Sequence, residues 1–220
     1  MNKQRAKRSL TKITIISEDS VKKIIAIVLI WFSFSTIARA DYIRCTPDER
    51  AIIESAISEA FDALSAATVA INSSNGAYQQ WFGIWDPVRA KRVRNTLSGL
   101  KNHIRINKTT YFCAQNGEQN CNDGTYANVF PNDPSTIYIC QNYFNLPDLR
   151  DSSFQEVFDS GTRAGTIIHE MSHYDVVGGT VDNCYNREVC SDYARRSPNR
   201  AVHNADSFQY FAEDAFLKRR

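Results

Sequence analysis

The 220-residue chain holds 26 Lys and Arg against 24 Asp and Glu, a small positive balance that misleads. Eight of those basic residues and two of the acidic ones precede residue 41, which leaves 18 against 22 and a net charge of −4 for the remainder. Apart from a short Lys218-Arg219-Arg220 tail the remaining cations are scattered, which excludes a nucleic-acid partner, and about 180 residues suffice for one domain with a real core.

Lys3, Arg5, Lys7, Arg8, Lys12, Lys22 and Lys23 form a basic leader, followed by an apolar run from Ile24 to Ile37 and the small-x-small sequence Ala38-Arg39-Ala40. This is the pattern of a signal peptide over residues 1–40, with cleavage leaving Asp41 as the start of a 41–220 domain. A membrane anchor is the competing reading, but Ile24 to Ile37 falls short of the roughly 20 residues that span a bilayer. The expectation is a secreted or periplasmic protein with no membrane attachment after cleavage. All six cysteines follow the cut, and an even number in an exported chain reads as a disulfide framework. A cysteine zinc site competes poorly, since no CxxC pair occurs.

Thr46-Pro47-Asp48-Glu49 combines a capping hydroxyl, an initial proline and a glutamate at the third position, so a helix starts there. Ile52, Ile53, Ala56, Ile57, Ala60, Phe61 and Leu64 give it one buried face. The polar stretch from Asn72 to Gly76 ends it. Trp81, Phe82 and Trp85 read as core between this helix and the next rather than as a sugar platform. Asp86-Pro87 begins that second helix, with Val88, Val93, Leu97, Leu100 and Ile104 as its inner stripe. From Asn107 to Pro134, Gly, Asn, Asp and Cys accumulate, as in turns and short strands. Ser135 to Cys140 alternates like a strand, Asn145 to Ser153 reads as loop, and a helix is expected from Thr166 to Val177, stopped by Gly178-Gly179. Phe208, Phe211, Ala212 and Ala215 give the segment from Ala205 to Leu217 helical spacing.

His169-Glu170-Met171-Ser172-His173 is where the chemistry concentrates. Two histidines four apart project from one helix face and can share an ion, while Glu170 can reach a water on it and act as general base in peptide hydrolysis. A zinc ion, one per chain, needs a third protein ligand. The spacing HExxHxxGxxH is excluded by Val176 and Gly179, which leaves Glu188, Glu213 or the nearer Asp182. His103 and His203 have no partner at metal spacing and read as packing or surface residues.

The stretch Gly179-Thr180-Val181-Asp182-Asn183-Cys184-Tyr185-Asn186 after HExxH resembles the aspzincin metalloendopeptidases, the deuterolysin and peptidyl-Lys metalloendopeptidase group, whose signature is HExxH followed by GTxDxxYG. The resemblance implies Asp182 as third zinc ligand, Glu170 and Tyr185 as catalytic residues, and Tyr185 as donor to the transition state. Asn186 replaces the final glycine and tolerates left-handed backbone. Ser135 to Phe144 resembles the family's edge strand, and Asn204-Ala205-Asp206 with Tyr210 to Glu213 its closing helix. Cys45–Cys113 and Cys121–Cys140 pairings are implied by the likeness, with Cys184–Cys190 as an extra bridge inside the signature.

In the peptidyl-Lys group an aspartate at the place of Asp206 lies in the pocket for the residue after the cut, so Asp206 is a candidate substrate-binding residue selecting lysine. The alternative is a helix cap. Gln209 stands where some relatives carry a second acid, which weakens lysine selection.

The fold expected is α+β: a zincin-like single domain, mainly helical, with a small disulfide-bonded β-sheet. The activity expected is a secreted zinc endopeptidase, a monomer acting on protein or peptide substrates. The rivals are a non-catalytic secreted zinc-binding module and a toxin-type effector protease of the same fold. A structural zinc site has no use for a general base, and Glu170 favours the enzyme.

Overall fold

The computed structural model describes residues 40–72 and 75–219. The leader assigned to residues 1–40 falls outside them except for Ala40. Among the described residues no helix is long and apolar enough to cross a membrane.

Helix α1 (Pro47–Ala70) begins as its sequence requires, with the Thr46 side chain accepting the Glu49 N–H and the Glu49 carboxylate accepting the Thr46 N–H at 2.8 Å. Its buried stripe is rich in alanine (Ala56, Ala60, Ala63, Ala67), which lets neighbouring helices approach closely. Helix α3 (Pro87–Ile106) is capped by Asp86 and buries Val93, Leu97, Leu100 and Ile104. Val88 departs from the expected stripe and is 76% exposed. Five residues before Val93 it lies about 140° around the helix from that face.

Between them the aromatic cluster forms an unexpected short helix, α2 (Gly76–Phe82), whose cap Asn75 accepts the N–H groups of Ala77 and Tyr78. Trp81 and Phe82 are core, as anticipated, Tyr78 joins them and Trp85 is only partly buried, and the three core rings pack on Phe208, Tyr210 and Phe211 of the last helix.

The sheet contains β1 (Asp41–Ile43), β2 (Thr110–Cys113), β3 (Ala127–Asn128) and β4 (Thr136–Ile139), in the order β1-β2-β4-β3. β1 and β2 run parallel with Asp41 opposite Thr110, and β2 and β4 run parallel with Thr110 opposite Thr136. β3 is antiparallel, Ala127 facing Ile139. The Ser135 to Cys140 strand is therefore internal and not the edge. The edges are β1 and β3, and β3 folds back onto β4 through the turn in which the Asp133 N–H donates to the Phe130 carbonyl. Disulfides Cys45–Cys113 and Cys121–Cys140 form, the pairings the resemblance implied, and Cys184–Cys190 forms as the extra local bridge.

After a 3-10 turn (Gln141–Asn145) come α4 (Phe154–Ser160), α5 (Arg163–His173), α6 (Arg187–Arg196), the single turn α7 (Pro198–Ala201) and α8 (Ala205–Leu217). α4 and α6 were not anticipated. α5 stops at His173, four residues before the expected end, because the Tyr174 carbonyl accepts the N–H groups of Val177, Gly178 and Gly179 at 2.9–3.0 Å and closes a turn. Gly178 is required there: a Cβ would lie 2.7 Å from the Ser172 carbonyl oxygen and 2.8 Å from Thr96 Cγ2.

α8 is the central helix. Every residue from Ala205 to Ala215 is buried, so its polar side chains must find internal partners. Asp214 accepts from Trp81 Nε1 at 2.8 Å and Arg187 at 2.6 Å, and Glu213 accepts from Arg187 at 2.6 Å and Thr162 Oγ1 at 2.8 Å. The Arg187 guanidinium also lies 4.6 Å from the Tyr210 ring centroid. This network ties α2, α5 and α6 to α8.

Candidate metal centre and active site

α5 enters the site from a buried start, where Thr162 accepts the Gly165 N–H at 2.9 Å and donates to Glu213. Its closeness to α8 demands glycine at 165, since a Cβ would meet Glu213 Oε1 at 2.0 Å. The helix then carries His169 and His173 one turn apart, with ring centroids separated by 4.9 Å.

Asp182, on the loop between α5 and α6, brings Oδ1 to 3.3 Å from His169 Nε2 and 3.5 Å from His173 Nε2. Donors at about 2.0–2.1 Å from a tetrahedral ion are separated by about 3.4 Å, and both of these carboxylate-to-imidazole distances fit that spacing. The other ring nitrogens are occupied. His169 Nδ1 faces Asp206 Oδ1 at 2.7 Å, and His173 Nδ1 faces the Thr180 carbonyl at 2.9 Å. Both contacts orient the rings and fix their tautomers, as in metal centres generally. Glu188 is exposed and Glu213 is bound to Arg187, so neither alternative third ligand joins the histidines.

The electrostatics agree with a cation site. Burial opposes a charged imidazole at His169, but Asp182 and Asp206 outweigh it and hold its pKa well above the ordinary value. At His173 burial and the charge on His169 lower the pKa. Burial also opposes ionisation of Asp182, yet His169 and His173 bring its pKa below the usual carboxylate range. A divalent cation among the three donors would meet the Asp182 carboxylate directly, while Asp206 stays on the Nδ1 side of His169.

Glu170 is 6% exposed and opens onto the same cleft of about 860 Å³. Burial, helped by Asp182 and Asp206 and opposed by His169, pushes its carboxyl up to about 7. Tyr185 is 60% exposed at the cleft margin, and burial together with a hydrogen bond to Asp182 raises its phenol to about 12. The cleft is also lined by Ala127, Asn128 and Val129 at the sheet edge and by Phe158 and Gly161 opposite.

Asp206 borders the cleft and is not the cap of α8. It is 4% exposed in the first turn of α8, where Asn204 stands at the cap, and its oxygens meet His169 Nδ1 at 2.7 Å and Tyr210 Oη at 2.8 Å. Gln209 donates to Glu213 at 3.3 Å. His103 packs at a tilt on Tyr174 and His203 lies at the surface, and neither joins the cluster of donors. The parts played by three contributors escaped the sequence reading: Thr180, Arg187 and Asn204. Thr180 lies inside the signature and Arg187 directly follows it, the one signal that could have drawn notice.

A family model described as lysine-specific metallo-endopeptidase matches residues 66–213. An extracellular protease of Aeromonas hydrophila is 32% identical over 174 residues, covering 78% of this chain and 46% of that protein, so the chain spans under half of it. A peptidyl-Lys metalloendopeptidase of Pleurotus ostreatus is 31% identical over 179 residues, covering 80% of this chain and 97% of that one. The solved zinc peptidase from Grifola frondosa has a TM-score of 0.66 at 25% identity, covering 77% of this chain and 97% of that one. Family model, relatives and fold agree, and the chain belongs to the aspzincin family of zinc metalloendopeptidases.

Proposed function

We propose that this chain is an exported endopeptidase that hydrolyses peptide bonds with one zinc ion held by His169, His173 and Asp182. The observation that carries the reading is Glu170, a buried carboxylate that accepts no hydrogen bond from the described residues and stands beside three convergent metal donors. A structural zinc site has no use for a carboxylate placed so, which favours the enzyme over the non-catalytic module. Zinc supplies Lewis acidity, acidifying water and polarising a peptide carbonyl. Glu170 takes the proton of the attacking water and hands it to the leaving amine. Its raised pKa suits both halves of that exchange near neutral pH. Tyr185, held next to Asp182, donates its phenolic proton in a hydrogen bond to the carbonyl oxygen as charge develops there. Asp206 keeps the His169 ring oriented. Export rests on the leader and cysteine content and is in keeping with the Aeromonas relative, named as extracellular.

Lysine after the cut is favoured modestly in this reading. The relatives named for lysine and the anionic wall at Asp206 support a basic preference, while the commitment of Asp206 to His169 and Tyr210 and the neutral Gln209 weaken it. The test is zinc analysis of the 41–220 protein with mass spectrometry of a digested protein mixture. Stoichiometric zinc, cleavage abolished in Glu170→Ala and moderate enrichment of lysine after the cut are expected. Cleavage surviving in Glu170→Ala would refute the mechanism, and an absence of basic residues after the cut would refute the preference.

A further inference from the structure

We infer that Asn204 is a positioning residue whose side-chain carbonyl fixes the loop presenting Asp182 and Tyr185. The inference rests on the roles given above to those two residues. Asn204 is fully buried, and its Oδ1 accepts the N–H of Asn183 at 2.8 Å and of Cys184 at 3.1 Å. These are the two residues between the third ligand and the tyrosine. Before Asp182 the backbone completes the hold: Val181 donates to the His203 carbonyl at 2.9 Å and accepts from the Ala205 N–H at 3.2 Å. Asp182 is thus clamped on both sides by one short segment.

Two further observations separate this from ordinary loop packing. Asn204 occupies the N-cap position of α8, where an asparagine ordinarily accepts an N–H of its own helix, yet it makes no capping bond. Its oxygen is turned to the loop instead. The orientation is set by the donors, since only a carbonyl can face two N–H groups, and the amide nitrogen then lies 3.4 Å from Ser207 Oγ. The Cys184–Cys190 bridge closes the loop from the far side and brings Cys190 Sγ to 3.7 Å from the Asn204 amide nitrogen. Two residues apart, Asn204 and Asp206 therefore fix two of the three donors, Asp182 through its backbone and His169 through its ring. A metal ligand on an otherwise free loop must be ordered when the ion binds, and prior ordering raises affinity and slows release.

The test compares Asn204→Leu, which removes the acceptor at similar volume, with Asn204→Asp, which keeps it. Zinc release from folded Asn204→Leu to a chelator should be about 10- to 100-fold faster than from wild type, with kcat reduced and KM nearly unchanged. Asn204→Asp should recover most of both. In a Tyr185→Phe background Asn204→Leu should cost less in kcat while zinc release stays fast. Unchanged zinc release in folded Asn204→Leu overturns the inference. Should that variant not fold, amide hydrogen exchange in the wild-type zinc protein decides: Asn183 and Cys184 amides should be protected like that of Val181, and exchange at the rate of open loop amides overturns it. Neither readout depends on catalysis, so a silent Tyr185→Phe would count against the tyrosine's role alone.

Discussion

Asp206 Oδ1 lies 2.7 Å from Nδ1 of His169, on the side of the ring opposite the nitrogen that faces Asp182. The carboxylate fixes the tautomer and makes Nε2 a stronger donor. Asp206→Asn should therefore weaken zinc binding or activity by about 10- to 100-fold without unfolding the protein. Competition with a chelator, read beside kcat/KM, checks this. An unaltered zinc affinity and activity would limit Asp206 to the substrate side of the cleft.

Tyr185→Phe should keep zinc and lower kcat and kcat/KM together by about 10²- to 10³-fold, the pattern of a contact made only in the transition state. A change confined to KM in steady-state kinetics would make the tyrosine a substrate-binding group.

Glu170 links activity to stability. Its carboxyl titrates at about 7 in the fold against an ordinary 4.5, so the folded protein holds this proton more tightly than the unfolded chain does. Stability from this group is full below pH 4.5 and is lost as pH rises toward 7, a difference of about 3 kcal/mol. In protein stripped of metal, Glu170→Gln should match wild type near pH 4 and exceed it by up to about that amount at pH 8. Denaturant unfolding at the two pH values measures it. The same variant, loaded with zinc, should lose about 10²- to 10⁴-fold in kcat.

Arg187 is the cation between Glu213 and Asp214, with all three groups buried. Arg187→Ala leaves two carboxylates without their partner and should destabilise the domain by about 3–5 kcal/mol. Replacing Arg187, Glu213 and Asp214 together by apolar residues of similar volume should cost less. Urea unfolding of the single and triple variants distinguishes the two outcomes.

Removing zinc should lower the melting temperature without abolishing the fold, because three disulfides and the core around α8 do not depend on the ion. With free zinc at a thousand times Kd the loss is about 4 kcal/mol. Calorimetry with and without chelator should find a shift of about 8–16 °C.

What could be read in advance was whatever is written locally. Thr46 to Glu49 specifies a capping box within four residues, and His169 and His173 share a face because the helix repeat places them there. Asp182 came through its place in a signature. Partners far apart along the chain left no such trace. Asn204 reaches Asn183 across 21 residues, and Arg187 reaches Glu213 across 26. Gln209, Glu213 and Asp214 look like an ordinary polar helix face in sequence, and only the surrounding helices make that face internal. The early end of α5 has the same origin: Gly178-Gly179 announces a turn, but the claim of three N–H groups on the Tyr174 carbonyl is a fact of the folded chain.

The Cys45–Cys113 bridge encloses 67 residues, including α1, α2 and α3. A peptidase shares its surroundings with copies of itself and so meets its own chain as a substrate. A single cut between residues 46 and 112 does not release a fragment, because both pieces remain joined through the two sulfurs. Such a nicked molecule keeps α1 packed against α5, which carries His169 and His173, and against α8. Damage there becomes visible as two chains only after reduction, so an aged preparation would run intact on a non-reducing gel while its autolysis was already advanced.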